Sequence, residues 1–139
     1  MFKVMIVDDS EICLKTVHNL LNKQLDFPVS FSTFLSGREA KERFIFIQPD
    51  LVITDIYMPE FNGFELITYI KELTKTPILA LSSGIFACGN GRGGERGSAE
   101  SALEQAIEKG ADYTLCKADM TNGLTPLVNK IYQQSLVLN

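Results

Sequence analysis

Six side chains that could do chemistry fall immediately after short apolar runs. Asp8 and Asp9 follow KVMIV (3–7), and Asp55 follows LVIT (51–54). Ser82 and Ser83 follow ILAL (78–81), and Lys117 follows DYTLC (112–116). Three carboxylates drawn to one place repel one another, and each raises the pKa of the others. Core packing gives no reason for such a cluster. A hard divalent cation would relieve it, and carboxylate oxygens suit Mg²⁺, which keeps several waters and also binds phosphate oxygens. Asp55 is then a candidate nucleophile, because a carboxylate can attack phosphorus and form an aspartyl-phosphate. Lys117 would neutralise the phosphoryl oxygens, and Ser82 would donate a hydrogen bond to them.

Each of these residues taken singly has a plainer reading. An Asp-Asp pair often solvates a turn or caps a helix. A lysine is most often a surface residue, and two serines alone point nowhere. The inference rests on the acids, the hydroxyl and the ammonium each following a strand in one consistent order.

That order comes from the elements. Apolar runs at 3–7, 51–54 and 78–81 are short and nearly continuous, as in strands covered on both faces. VSFSTF (29–34) alternates like a strand, and 112–116 supplies the fifth. Helical patterns lie between them. Ser10 caps the first helix, with Ile12, Val17, Leu20, Leu21 and Leu25 on its apolar face, and Ser36 caps the second. FELITYIKEL (64–73) is amphipathic. A fourth helix starts near Ala99, with Leu103, Ala106 and Ile107 as its apolar face and Gly110 at its C-cap. The last helix covers 124–137, with Pro126 in its first turn. Strict alternation predicts an α/β fold, a doubly wound parallel sheet with helices on both faces. Ligands of such sheets bind at the carboxyl ends of the strands, near the switch in strand order.

These motifs resemble the response-regulator receiver family of two-component signalling from residue 2 to about residue 135. VDDS (7–10), PDLVITDIYMPEFNGFEL (49–66), PILALSS (77–83) and GADYTLCK (110–117) carry the resemblance. It implies a flavodoxin-like five-stranded sheet of order 2-1-3-4-5. It implies that Asp8, Asp9, Asp55 and the backbone carbonyl of Tyr57 hold Mg²⁺, and that Asp55 accepts the phosphoryl group. Ser82 fills the hydroxyl switch position, Tyr113 the aromatic switch position, and Lys117 the lysine position. Phosphorylation would pull Ser82 and Lys117 inward, and Tyr113 would turn into the space left. The altered face would be read by a downstream target. The phosphoryl donor would be a histidine kinase or a histidine phosphotransfer protein.

Two departures from the family stand out. Ala118 follows Lys117 where the family usually has a proline, commonly cis; a cis bond before alanine would cost roughly 3 kcal/mol. The stretch at about 84–98 holds six glycines and no periodicity, a long insertion between the fourth strand and the fourth helix. It lacks the Gly-Lys-Ser/Thr of a phosphate-binding loop. It reads as a surface insertion, or as a docking element in which Arg92 and Arg96 meet an acidic partner.

Composition bounds the rest. The 139 residues suffice for one domain, expected over 1–139. A net charge of −4 gives no basic footprint for nucleic acid. No apolar run is long enough to cross a membrane, and MFKVMIVDDS is too short and acidic for a signal peptide. Cys13, Cys88 and Cys116 match no metal spacing and are expected reduced in a cytoplasmic protein. The chain is therefore expected to be a signalling receiver that catalyses only its own phosphorylation and dephosphorylation. The alternative is a degenerate receiver that docks partners without phosphorylation. An aspartyl phosphatase of the haloacid-dehalogenase type would need Asp-x-Asp after its first strand, and the acids here are adjacent.

Overall fold

The computed structural model describes residues 1–83 and 98–138. The glycine-rich stretch, with Arg92 and Arg96, falls outside them apart from its last residue, Ser98. Five strands, β1 (Phe2–Val7), β2 (Val29–Phe34), β3 (Leu51–Asp55), β4 (Ile78–Ser82) and β5 (Tyr113–Cys116), form one parallel sheet of order β2-β1-β3-β4-β5. Helices α1 (Glu11–Gln24), α2 (Gly37–Ile47), α3 (Gly63–Leu73), α4 (Ser98–Lys109) and α5 (Met120–Leu138) connect or follow them. This is the flavodoxin-like architecture that the sequence implied.

The sheet separates two cores because strand side chains alternate between faces. Val52, Ile78 and Ala80 join Phe44 of α2, Ile67 and Ile70 of α3 and Ala106 of α4 on one face. Leu51, Ile53, Leu79 and Leu81 join Leu14, Val17 and Leu21 of α1 and Leu124, Val128 and Ile131 of α5 on the other. Each central strand is buried on both sides, which is why its sequence lacks the apolar–polar alternation of a half-exposed strand.

Local signals set the helix ends. Ser10 Oγ accepts from Cys13 N–H, and Ser36 Oγ accepts from Glu39 N–H. Asn62 and Glu65 form a reciprocal capping box at the start of α3. Gly110 ends α4 with φ of +123°, and a Cβ there would lie 2.8 Å from Lys71 Cγ. Beside it, Asp112 closes the N-terminal end of β5. One carboxylate oxygen accepts from Lys71 Nζ at 2.7 Å and from Ile78 N–H at 2.9 Å.

Three expectations need correction. On α1 the inward positions are Leu14, Val17 and Leu21, spaced by three and four, and Ile12 is 79% exposed. On α4 Ala102 and Ala106 face the core, and Ile107 is exposed. The last helix begins at Met120 rather than 124, and a 3₁₀ turn, Lys117–Asp119, runs straight into it. Thr121–Asn122–Gly123 looks like a turn in sequence, but Gly123 lies in the helix where its missing Cβ admits Leu115; a Cβ would sit 3.2 Å from Leu115 Cδ1. Pro126 is thus inside the helix. Cys13 has a free thiol, and Cys88 lies outside the described residues.

Candidate functional site

The switch in strand order lies at β1, which pairs with β2 on one side and β3 on the other. The acids gather at its carboxyl end. Asp8 and Asp9 directly follow β1, and Asp55 is the last residue of β3 rather than the first beyond it. One carboxylate oxygen from each of Asp8, Asp9 and Asp55 lies within 4.8 Å of the others. Asp8 is 2% exposed and Asp55 is 7% exposed, whereas Asp9 faces solvent.

Lys117 completes the group. Its Nζ lies 2.7 Å from Asp8 Oδ2 and 3.3 Å from Asp55 Oδ1. Asp8 Oδ1 also accepts from Ser10 N–H at 2.9 Å, so both of its oxygens are engaged. Burial, and then the charge of Asp8, push the Asp55 carboxyl up from 3.8 to about 6. Lys117 and the Ile56 N–H oppose that rise without cancelling it. For Lys117, burial alone would favour the neutral amine. The hydrogen bond to Asp8 and the charges of Asp55 and Asp8 outweigh it and hold the ammonium above its ordinary pKa.

Ser82 is the last residue of β4 and is buried; its hydroxyl donates to the Ser83 carbonyl at 3.4 Å. Tyr57 follows β3 with its side chain 56% exposed and its ring edge-on to Phe64, 6.2 Å between centroids.

The loop carrying Tyr57, whose sequence is marked by Pro59, Asn62 and Gly63, is held tightly. Gly63 N–H donates to the Ile56 carbonyl at 2.7 Å. A Cβ on Gly63 would lie 2.4 Å from the Asp55 carbonyl oxygen, so only glycine lets α3 begin this close to the end of β3. Gly37 at the start of α2 meets the same loop; a Cβ there would lie 2.2 Å from the Phe61 carbonyl oxygen. Buried Thr54 donates its hydroxyl to the Asp55 carbonyl at 2.8 Å. Both glycines stand next to helix caps, and that adjacency was the available signal.

Tyr113 does not fit the aromatic switch position. In the β4–β5 register it pairs with Leu79, and both side chains belong to the α1/α5 core. Ser82 lies on the strand face of Ala80, the α2/α3/α4 side, where the β5 residue opposite Ala80 is Thr114. The sheet itself separates Tyr113 from any space that Ser82 would leave. Tyr113 instead donates its hydroxyl to Gln134 Oε1 on α5 at 2.6 Å, with Lys130 Nζ 5.8 Å from its ring centre.

The donor set fits a hard divalent cation. All three ligand groups are carboxylates, and Mg²⁺–oxygen bonds of about 2.1 Å put octahedral ligands roughly 3–4 Å apart, a small contraction from the spacing here. Among the described residues no histidine or thiolate joins this set, which argues against a soft metal.

Comparison with known proteins agrees with this geometry. The profile of the response regulator receiver domain matches residues 4–85, more than half of the chain. A protein-glutamate methylesterase/protein-glutamine glutaminase 2 of Carboxydothermus hydrogenoformans is 37% identical over 81 residues, covering 58% of this chain and 23% of that protein. A protein-glutamate methylesterase/protein-glutamine glutaminase of Archaeoglobus fulgidus is also 37% identical over 81 residues, with the same coverage. The chain thus matches less than a quarter of the length of these relatives. Among solved structures, a receiver domain protein from Clostridium thermocellum has a TM-score of 0.81 at 21% identity, covering 100% of both chains. The response regulator domain of Thermotoga maritima CheB has a TM-score of 0.71 at 26% identity, covering 96% of this chain and 95% of that one. With its sheet order, its strand-end acids and this match, the chain belongs to the response regulator receiver domain family.

Proposed function

We propose that the chain is a phosphorylatable receiver that takes a phosphoryl group on Asp55 from a phospho-histidine donor and signals through its altered surface. The observation that carries this reading is the meeting of three carboxylates and Lys117 at one strand edge. In the transfer, Asp55 Oδ attacks phosphorus, a P–O bond forms and the P–N bond to the donor imidazole breaks. The imidazole leaves with the bonding electron pair and takes up a proton.

The residues divide the work. Asp8, Asp9, Asp55 and the Tyr57 carbonyl would hold Mg²⁺, which when bound supplies positive charge against the phosphoryl oxygens. Asp55 must be ionised to attack, and a pKa of about 6 leaves it ionised at neutral pH even before a cation binds. Lys117 already lies 3.3 Å from Asp55 and would neutralise a phosphoryl oxygen, while Ser82 would turn its hydroxyl from Ser83 toward another. The donor would be a histidine kinase or phosphotransfer protein, the output a protein partner, and the compartment the cytoplasm. No described helix is long and apolar enough to cross a membrane. The curated relatives are named as methylesterases, but the match covers only their receiver-like part, so the chain's own chemistry is taken to be limited to the aspartyl-phosphate.

The test is intact mass after incubation with acetyl phosphate, with and without Mg²⁺, on wild type and Asp55→Asn. A Mg²⁺-dependent gain of one phosphoryl group, absent in Asp55→Asn, is expected. No gain by folded wild-type protein would replace this reading with the phosphorylation-independent docking module.

A further inference from the structure

The lysine of the site is part of a helix. Lys117 opens the 3₁₀ turn Lys117–Asp119, Met120 N–H donates to the Lys117 carbonyl, and Met120 (φ −61°, ψ −41°) continues into α5. The described residues contain no cis peptide bond, so Lys117 and Ala118 are joined in trans. By contrast, the acids connect to their helices through non-helical chain: residues 8–10 precede α1, and 56–62 precede α3. Lys117, unlike the acids, has no intervening chain between it and its helix to absorb a displacement.

The first turns of α5 are also seated on the sheet. Met120 and Leu124 are buried, and Gly123 lies against Leu115 of β5. Farther along, Gln134 holds Tyr113, and Thr125 donates to Gln24 of α1. A helix of 19 residues is about 28 Å long, so a small change at its first turn is carried far from the site.

From this we infer that the Lys117–Asp119 turn positions the lysine amine and transmits its displacement on phosphorylation into α5, the work that Tyr113 cannot do from the opposite face of the sheet. This rests on the receiver reading. Ala118 and Asp119 are both exposed, so they can be changed without loss of packing. They are positioning residues that act through Lys117.

The experiment is backbone hydrogen exchange by mass spectrometry on the full chain, with and without acetyl phosphate and Mg²⁺. The phosphoryl content of each sample is read by intact mass. In phosphorylated wild type, exchange in peptides covering 117–138 should change by about two-fold or more. Ala118→Gly/Asp119→Gly loosens the turn, since glycine disfavours helix. It should keep the change at 55–63 but lose most of the change at 120–138. Ala118→Ser/Asp119→Asn, which suits a helix start, should restore it. If the glycine variant fails to take the phosphoryl group while the Ser/Asn variant takes it, the positioning role is supported directly. An unchanged α5 in phosphorylated wild type, or a full α5 response in the glycine variant, would overturn the inference. Absence of a phosphoryl group on wild type would overturn the receiver reading itself, and the mass measurement tells the two failures apart.

Discussion

Replacing Asp55 by asparagine should stabilise the metal-free protein, and only at a pH where Asp55 is ionised. The carboxyl is held at about 6 in the folded protein against 3.8 when free. A gap of that size makes ionisation cost the native state about 3 kcal/mol, at about 1.4 kcal/mol per pH unit. The sign follows from linkage. A folded pKa above the unfolded one means full stability below 3.8, and stability lost as pH rises through about 6. Asparagine has nearly the shape of aspartate and no charge to desolvate, and the attraction to Lys117 is already counted in that pKa; what it loses is an acceptor, because its amide N–H₂ replaces one carboxylate oxygen beside the Lys117 ammonium at 3.3 Å. The net gain should therefore be about 1–3 kcal/mol near pH 7.5, roughly 3–10 °C in Tm for a chain of this size. Urea unfolding of both proteins in EDTA, at steps from about pH 4 to pH 7.5, measures it. The two should converge near pH 4, where both side chains are neutral. Adding Mg²⁺ should narrow the gap from the other side, raising wild type by about 2.7 kcal/mol at a hundred times its Kd. A gap of the same size at both ends of the pH range, or a less stable Asp55→Asn at neutral pH, would refute the account.

Four further substitutions probe the site and its surroundings. Lys117→Ala leaves the buried Asp8 carboxylate without its ammonium partner, and should cost about 2–4 kcal/mol in urea unfolding at neutral pH. Gly63→Ala drives a Cβ into the Asp55 carbonyl and should cost about 1–3 kcal/mol. Gly123→Ala, which meets only a side-chain methyl and gains helix propensity, should change unfolding by less than about 1 kcal/mol. Tyr57→Ala removes an exposed ring two residues beyond the proposed phosphoacceptor and should shorten the phosphoryl lifetime, followed by the decay of the added mass; an unchanged lifetime would show that the ring does not shield the site from water.

The fold was legible because buried parallel strands announce themselves as short apolar runs and the helix caps are ordinary ones. The acids and the lysine could be placed for the same reason: each stands at a strand end. What escaped was face and junction. Tyr113 and Thr114 are neighbours in sequence, and a shift of one residue moves a side chain through the sheet. Sequence alone did not fix that register, whereas the pairing Leu79–Tyr113 does. The start of α5 escaped because asparagine, glycine and proline at 122, 123 and 126 all speak for a turn or a first helical turn. Burial of Met120 and Leu124 overrode that local preference. On α1 the apolar face was drawn through Ile12 instead of Leu14, since both fit a helical spacing and only packing chooses between them.

The sheet has a consequence for how substitutions combine. Its five strands act as a partition between two compartments, one holding Val17 and Val128 and the other Phe44 and Ile70. Side chains in different compartments share no direct contacts, so their losses on truncation should simply add, whereas pairs within a compartment should not. At its carboxyl edge Asp8, Asp55 and Lys117 meet over the strand ends. A change that starts there can enter either compartment, and which of the two it enters is decided by the strand face, not by distance along the chain.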